Sequence, residues 1–378
     1  MTGWLADLRH GAAQRAAAGL SRQLRARAAH DPTTDLAGND YLGLSRHPSV
    51  VAAAVAATRQ YGLGATSSRL VRGSTAEHAA LEDQLAELLG WPSALVFSSG
   101  YLANLAAIRA LATSDARIVS DAHAHASLID GCRLARAETV VVPHASPDAV
   151  RGAVLGAEGR GAVVVTESIF SVDGDLAPLR ELHRICVELG AVLLVDDAHG
   201  LGVLGPYGAG GVAAAGLAGA ENLVVTATLS KAAGGAGGVV AGPAPVIEHL
   251  VDTGRSFIYD TGLPPATAAG CAEALRLIRD GDASRAALAD RANTAVKALR
   301  DARLDVTQPA GGVISVTAPG PEQAVAWAAA CAVRGVAVGC FRPPSTPDKR
   351  SRLRLTINTG IPREDFERAL TIIIEEAP

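Results

Sequence analysis

Ala191-Val192-Leu193-Leu194-Val195-Asp196-Asp197-Ala198-His199-Gly200 is the stretch that decides the fold. An uninterrupted apolar run, rather than an alternating one, suits a strand covered on both faces, and covered strands belong to parallel sheets packed between helices. Runs of the same kind occur at ALVF (94–97), RIVS (117–120), TVVVP (139–143), AVVVTE (162–167), NLVVTAT (222–228) and GGVVAG (237–242). Helical patterns separate them. The spacing therefore predicts an α/β protein with a mostly parallel, doubly wound central sheet. Ahead of these strands, Ser74-Thr75-Ala76-Glu77 fits a capping box, with Leu81, Leu85 and Leu88 following at helical spacing until Gly90.

Beyond Pro264-Pro265 the pattern changes. A long Ala/Leu/Arg helical region leads into strand patterns at DVTQ, VISVT, VAVGCF and RLRLTIN, alternating with helices near 321–334 and 362–376. This predicts a smaller α+β C-terminal domain. The expected division is an N-terminal arm over 1–44, a large domain over 45–262, and a linking helix with the small domain over 263–378. The arm itself reads as an amphipathic helix, an Arg-rich stretch and a tight segment, Gly38-Asn39-Asp40-Tyr41-Leu42-Gly43-Leu44.

A formal net charge of -4 leaves no basic field for a nucleic-acid backbone or an anionic membrane, so neither is an expected partner. The start, MTGWLADLRHGAAQR, has no apolar core of the kind a secretory signal needs, and no apolar stretch reaches the ~20 residues of a membrane span. A cytoplasmic location is expected. Cys132, Cys186, Cys271, Cys331 and Cys340 are scattered without a Cys-x-x-Cys pair, which argues for reduced thiols and against a zinc site.

In an open parallel sheet, ligands gather at the carboxyl ends of the strands. Five such ends carry unusual residues. ALVF is followed by Ser98-Ser99-Gly100-Tyr101 and a helix, which offers free N–H groups to a phosphate, although a simple N-cap would look the same. AVLLV is followed by Asp196, Asp197 and His199. A buried carboxylate must be paired or serve a ligand, and a protonated ring nitrogen would satisfy it; metal coordination is the rival reading, although no further cluster with metal spacing accompanies it.

NLVVTAT is followed by Ser230-Lys231-Ala232-Ala233-Gly234-Gly235. An ordinary surface lysine is the common case, but these small apolar neighbours make no solvated face, and a desolvated lysine can form an imine with a carbonyl. The remaining ends supply His123, His125 and Ser127, and the run from Glu167 through Ser171 to Gly174. One of His123 and His125 is expected to be structural.

Taken in order, NDYLGL, SSGYLAN, HASL, TESIFSVDGD, VDDAHG, TLSK and RLRLT run through nearly the whole chain and resemble the α-oxoamine synthase family of fold-type I pyridoxal-phosphate enzymes. The resemblance implies a homodimer with active sites shared between subunits. It implies that Lys231 carries pyridoxal 5'-phosphate as a Schiff base and moves the proton at the amino-acid Cα, that Asp196 holds the ring nitrogen protonated, and that His125 stacks on the ring.

His199 and Ser171 would lie near the phenolic oxygen; Ser99, Gly100, Tyr101, Glu167 and Thr228 complete the cofactor set, with Thr261 reaching across from the partner chain. Arg354 would grip the substrate carboxylate, with Asn39 and Arg342 assisting and Ser68 nearby. No metal is implied. Within that family, chain length and the segment Phe341–Pro347 look most similar to the member that condenses L-alanine with pimeloyl-CoA or pimeloyl-ACP and releases carbon dioxide, and the resemblance implies that activity here.

The stretch from Gly64 to Gly73 is less glycine-rich than the corresponding family loop. Other members of the family use glycine with an acetyl or succinyl thioester, or serine with a fatty-acyl thioester, and would share every cofactor residue. Two readings from other classes remain beside these: a metal-dependent hydrolase built on Asp196, His199 and His125, and a cofactor-binding regulator without turnover.

Overall fold

The computed structural model describes every residue except Met1, Thr2, Gln23, Arg25, Pro344 and Pro347, so the start of the N-terminal stretch and two prolines of the 341–347 segment lie outside the described residues. Among the described residues there are eleven strands: β1 (Thr34–Leu36), β2 (Ser93–Phe97), β3 (Arg117–Asp121), β4 (Glu138–Val142), β5 (Ala162–Glu167), β6 (Val192–Asp196), β7 (Leu223–Thr228), β8 (Gly238–Gly242), β9 (Val313–Thr317), β10 (Val336–Phe341) and β11 (Arg352–Thr356).

Seven of them form the central sheet in the order β2-β8-β7-β6-β5-β3-β4. Only β8 runs against its neighbours; the other joins are parallel. The carboxyl ends of β2, β3, β4, β5, β6 and β7 consequently share one edge.

Burial explains why these strands read as unbroken apolar runs. Every residue of β5 and of β7 is buried. Alternate residues serve two separate cores: Val164, Leu193 and Val225 belong to one, whereas Val163, Leu194 and Val224 belong to the other. A strand that feeds a core on each face has no position left for a polar residue until it ends. The second core is closed by Ala103, Ile108, Leu128 and Leu250 from the helices Gly100–Leu111, Ala126–Ala135 and Ala244–Thr253.

The small sheet has the order β1-β10-β11-β9. Its first strand comes from the arm: Thr34, Asp35 and Leu36 pair in parallel with Val336, Ala337 and Val338, and Leu36 is fully buried. A three-residue strand carries too little periodicity to be read from sequence, so the joining of residues 34–36 to the small sheet is a tertiary fact. The helix Trp4–Ala17 buries none of its residues. The long helical region is two helices, Pro265–Arg279 and Asp282–Asp301, the first packed on the helices Pro48–Tyr61 and Ala76–Leu89.

Two local expectations need correction. The capping box is displaced by one residue: Thr75, not Ser74, is the N-cap, and His78, not Glu77, stands at the third helical position. The His78 Nδ1 accepts the Thr75 N–H at 3.2 Å while its Nε2 donates to the Leu263 carbonyl at 2.7 Å. The imidazole wins because it also ties this helix to the start of Pro265–Arg279. DVTQ is no strand beyond one isolated bridge, Val306 to Val316; Pro309 follows at once and has no N–H to continue a ladder. Among the described residues no helix is long and apolar enough to cross a membrane.

Candidate active site

The ends of β2, β5, β6 and β7 meet around a cleft of about 260 Å³ lined by Ser99, Gly100, Tyr101, Asn104, His125, Ser127, Glu167, Asp196, Ala198, His199, Thr228, Ser230 and Lys231. Because β6 and β7 are adjacent, with Asp196 opposite Thr226, the carboxylate at one strand end and the lysine beyond the other reach the same space. Ser99, Gly100, Tyr101, His125, Glu167, Asp196, His199, Thr228 and Lys231 are thus brought together as the sequence motifs suggested.

Asp196 is held from two sides. Its Oδ1 accepts the Ala198 N–H at 2.9 Å, and its Oδ2 accepts from the Asn104 carboxamide at 2.7 Å. The second Asn104 N–H goes to Ser127 Oγ at 2.8 Å, and Ser127 Oγ lies 2.7 Å from His125 Nδ1. Asn104 Oδ1 accepts from Thr226 at 2.5 Å, which fixes the amide's orientation. One buried asparagine therefore orients both the carboxylate and, through Ser127, the imidazole.

The electrostatics favour a reactive amine. Burial pushes the Lys231 ammonium down to about 8 against the pull of Asp196 and Glu167. Glu167 is raised well above the carboxylate range, first by burial and then by Asp196, and its Oε1 is buried without a partner among the described residues. His199 is driven well below its ordinary value by burial and by the charges of Lys231 and Arg354, so it is neutral. His125 is likewise lowered, by burial first, with Asp196 opposing.

Several of these features fit pyridoxal 5'-phosphate. Lys231 owes its shift to burial and charge alone, with no hydrogen bond among the described residues to occupy the amine. The helix Gly100–Leu111 opens toward the cleft, with Ser99 Oγ accepting the Leu102 N–H at 3.2 Å and leaving the first-turn N–H groups to an anion. Gly100 packs tightly there: an added Cβ would stand 3.0 Å from Thr228 Cβ, so a larger residue would have to push the Thr228 side chain aside. The orphaned Glu167 oxygen marks polar surface that the protein alone does not satisfy.

Other expected residues lie off this cleft. Arg354 projects from β11 of the small sheet, donates to the Ser171 carbonyl at 2.9 Å and Asn39 Oδ1 at 2.8 Å, and lies over the Phe341 ring at 4.8 Å. Its Nε is buried without a partner among the described residues. Ser68 and Thr261 are joined by an isolated bridge. Arg342 donates to the Gly19 carbonyl in the arm.

His123 does not line the cleft and stacks on His144 at 3.9 Å, whereas His125 does line it. His144 in turn lies 2.9 Å from both Asp121 and Asp175. Sequence reasoning missed Asn104, although it ends the quoted SSGYLAN, and Tyr41, although it stands within NDYLGL; nothing local marks either, because their partners are 92 and 158 residues away.

A family model for aminotransferase class I and II matches residues 31–373. The 8-amino-7-oxononanoate synthase of Mycolicibacterium smegmatis is 51% identical over 375 residues, covering 98% of this chain and 96% of its own. A serine palmitoyltransferase solved with PLP superposes with a TM-score of 0.92 at 29% identity, covering 99% of this chain and 98% of that one. The 8-amino-7-oxononanoate synthase of Francisella tularensis gives 0.79 at 28% identity, covering 91% of this chain and 97% of that one. With its whole length matched and its strand-end residues gathered as the motifs require, the chain belongs to the aminotransferase class I and II family, in the branch of the 8-amino-7-oxononanoate synthases.

Proposed function

We propose that this protein condenses L-alanine with a pimeloyl thioester, pimeloyl-CoA or pimeloyl-ACP, to give 8-amino-7-oxononanoate, the free carrier and carbon dioxide, a step of biotin biosynthesis carried out in the cytoplasm. The observation that carries it is the convergence on one cleft of the Lys231 amine, unpartnered among the described residues, and the doubly held Asp196 carboxylate. The name shared by curated relatives at about half identity supports the choice of substrates.

Bound PLP supplies an electron sink that stabilises negative charge at the amino-acid Cα. The chain's own residues do the rest. Asp196 would hold the ring nitrogen and keep it protonated. His125 would cover the ring face. The helix N-terminus at Gly100 and Tyr101, with the Ser99 and Thr228 hydroxyls, would receive the phosphate.

Lys231 would hold the cofactor through its amine and would move the proton at the substrate Cα; an amine near 8 has its neutral form available at physiological pH. Arg354, braced by Asn39 and the Ser171 carbonyl, presents its guanidinium to the substrate carboxylate. Ser68 and Thr261 stand off the cleft of their own chain, and their service to a second subunit is part of the proposal: a homodimer with shared sites.

The test is mass spectrometry of the product formed with alanine, glycine or serine against pimeloyl, acetyl, succinyl and palmitoyl thioesters. The mass of 8-amino-7-oxononanoate from alanine and a pimeloyl thioester alone is the expected result. A serine-derived long-chain ketone would move the chain to the activity named for its structural neighbour.

A further inference from the structure

Tyr41 is fully buried, and its hydroxyl lies 2.5 Å from His199 Nδ1. His199 lines the cleft beside Lys231 and Asp196. The Tyr41 backbone is pinned from the other direction: the Thr359 N–H donates to its carbonyl at 2.9 Å, and the Thr359 hydroxyl does so at 3.2 Å. Two residues on, Gly43 takes a left-handed φ of 67° and packs so closely on Gly360 that an added Cβ would meet its Cα at 2.7 Å. A loop that follows the small sheet thus holds the arm, and the arm holds a phenol against an imidazole of the large domain.

The proton positions follow from a count of donors and acceptors. The imidazole is neutral and carries one hydrogen. If that hydrogen sat on Nδ1 and pointed at the phenol oxygen, the phenol's own hydrogen would be buried with no acceptor, since His199 is its one hydrogen-bond partner among the described residues. If the phenol donates to Nδ1, both groups are satisfied. The imidazole hydrogen then stands on Nε2, the ring nitrogen left to the cleft.

We infer that Tyr41 is a positioning residue for the reaction: by donating to Nδ1 it locks His199 in the Nε2–H tautomer, so that the ring offers a donor, not an acceptor, to an anionic oxygen in the cleft. The inference rests on the proposed function for the identity of that oxygen, the phenolate of PLP. A donor there would steady the negative charge on the ring oxygen and so strengthen cofactor binding. It also gives the small domain a lever on the cofactor face, through Thr359 and Tyr41.

The test has two arms on the full-length protein. Nitrogen-15 NMR of histidine-labelled, cofactor-free protein is expected to show His199 with Nδ1 unprotonated and Nε2 protonated; the reverse pattern, or a doubly protonated ring at neutral pH, overturns the inference. In the second arm, PLP affinity is titrated by absorbance for wild type, Tyr41→Phe, His199→Ala and the double variant. Tyr41→Phe is expected to weaken PLP binding about fivefold in the wild-type background and to change it hardly at all in the His199→Ala background.

Equal losses in both backgrounds would mean that the phenol only fills space, and no loss in either would remove it from the site. Failure of wild type to bind PLP would sink the proposed function instead, and the nitrogen spectrum would still decide the tautomer.

Discussion

The carboxamide nitrogen of Asn104 lies 2.7 Å from Asp196 Oδ2, and with this contact the helix Gly100–Leu111 helps to set the position of a strand-end carboxylate. The same carboxamide reaches Ser127 and hence His125. Replacing Asn104 with Ala removes a hydrogen bond to a charged, buried group, a loss of about 1.5–3 kcal/mol. PLP binding, followed by absorbance titration, should weaken roughly tenfold to a hundredfold. Asn104→Asp should be worse, because it sets a second carboxylate against Asp196. Unchanged affinity in both variants would show that Asp196 needs no such support.

Arg354 makes three contacts with three different segments, Ser171, Asn39 and the Phe341 ring, and this leaves its planar guanidinium little freedom. Lysine keeps the charge but loses the fork and the stacking. For Arg354→Lys, the KM for alanine should rise about tenfold or more, with a smaller change in kcat. The reverse split, a fall in kcat at constant KM, would separate Arg354 from substrate binding.

The depressed Lys231 makes a statement about stability. Its pKa of about 8 in the folded chain lies below the ordinary 10.5. Between those values the unfolded chain holds a proton that the folded chain has released, so this group's contribution to stability rises with pH and its penalty is complete below pH 8. Lys231→Met should therefore stabilise the cofactor-free protein by about 1–3 kcal/mol at pH 7. Asp196 keeps its Asn104 and Ala198 hydrogen bonds in that variant. The gain, measured by urea unfolding, should vanish above pH 10.5; a gain independent of pH would assign it to packing.

His144 carries the opposite sign. Burial alone would depress it, but its hydrogen bonds to Asp121 and Asp175 outweigh burial and hold it at about 9, above the ordinary 6.5. Its contribution is complete below pH 6.5 and is lost as pH rises through 9. Wild type should exceed His144→Gln by about 1–2 kcal/mol at pH 6, discounted for partial exposure, with the gap closing by pH 10. A gap that stays constant across that range would deny the ion pair any part in it. The pair ties the end of β4 to the turn after β5 that carries Ser171, so loosening it should also raise the KM for alanine.

The central strands were legible in the sequence because burial on both faces forces every position to be apolar, and the strand ends were legible because polarity returns there abruptly. Asp196, Lys231, His125 and Glu167 could be nominated on that ground alone. The sequence therefore determined the sheet, the edge at which chemistry is sited and the amine and carboxylate that confront each other there. The tertiary structure decided everything that depends on distant partners: β1 joining β10, His78 taking the third capping position because Leu263 is above it, Asn104 orienting Asp196, and Tyr41 meeting His199. The reason is physical. Apolar periodicity is a local consequence of burial, whereas a hydrogen bond between side chains 92 or 158 residues apart exists only once the chain has folded.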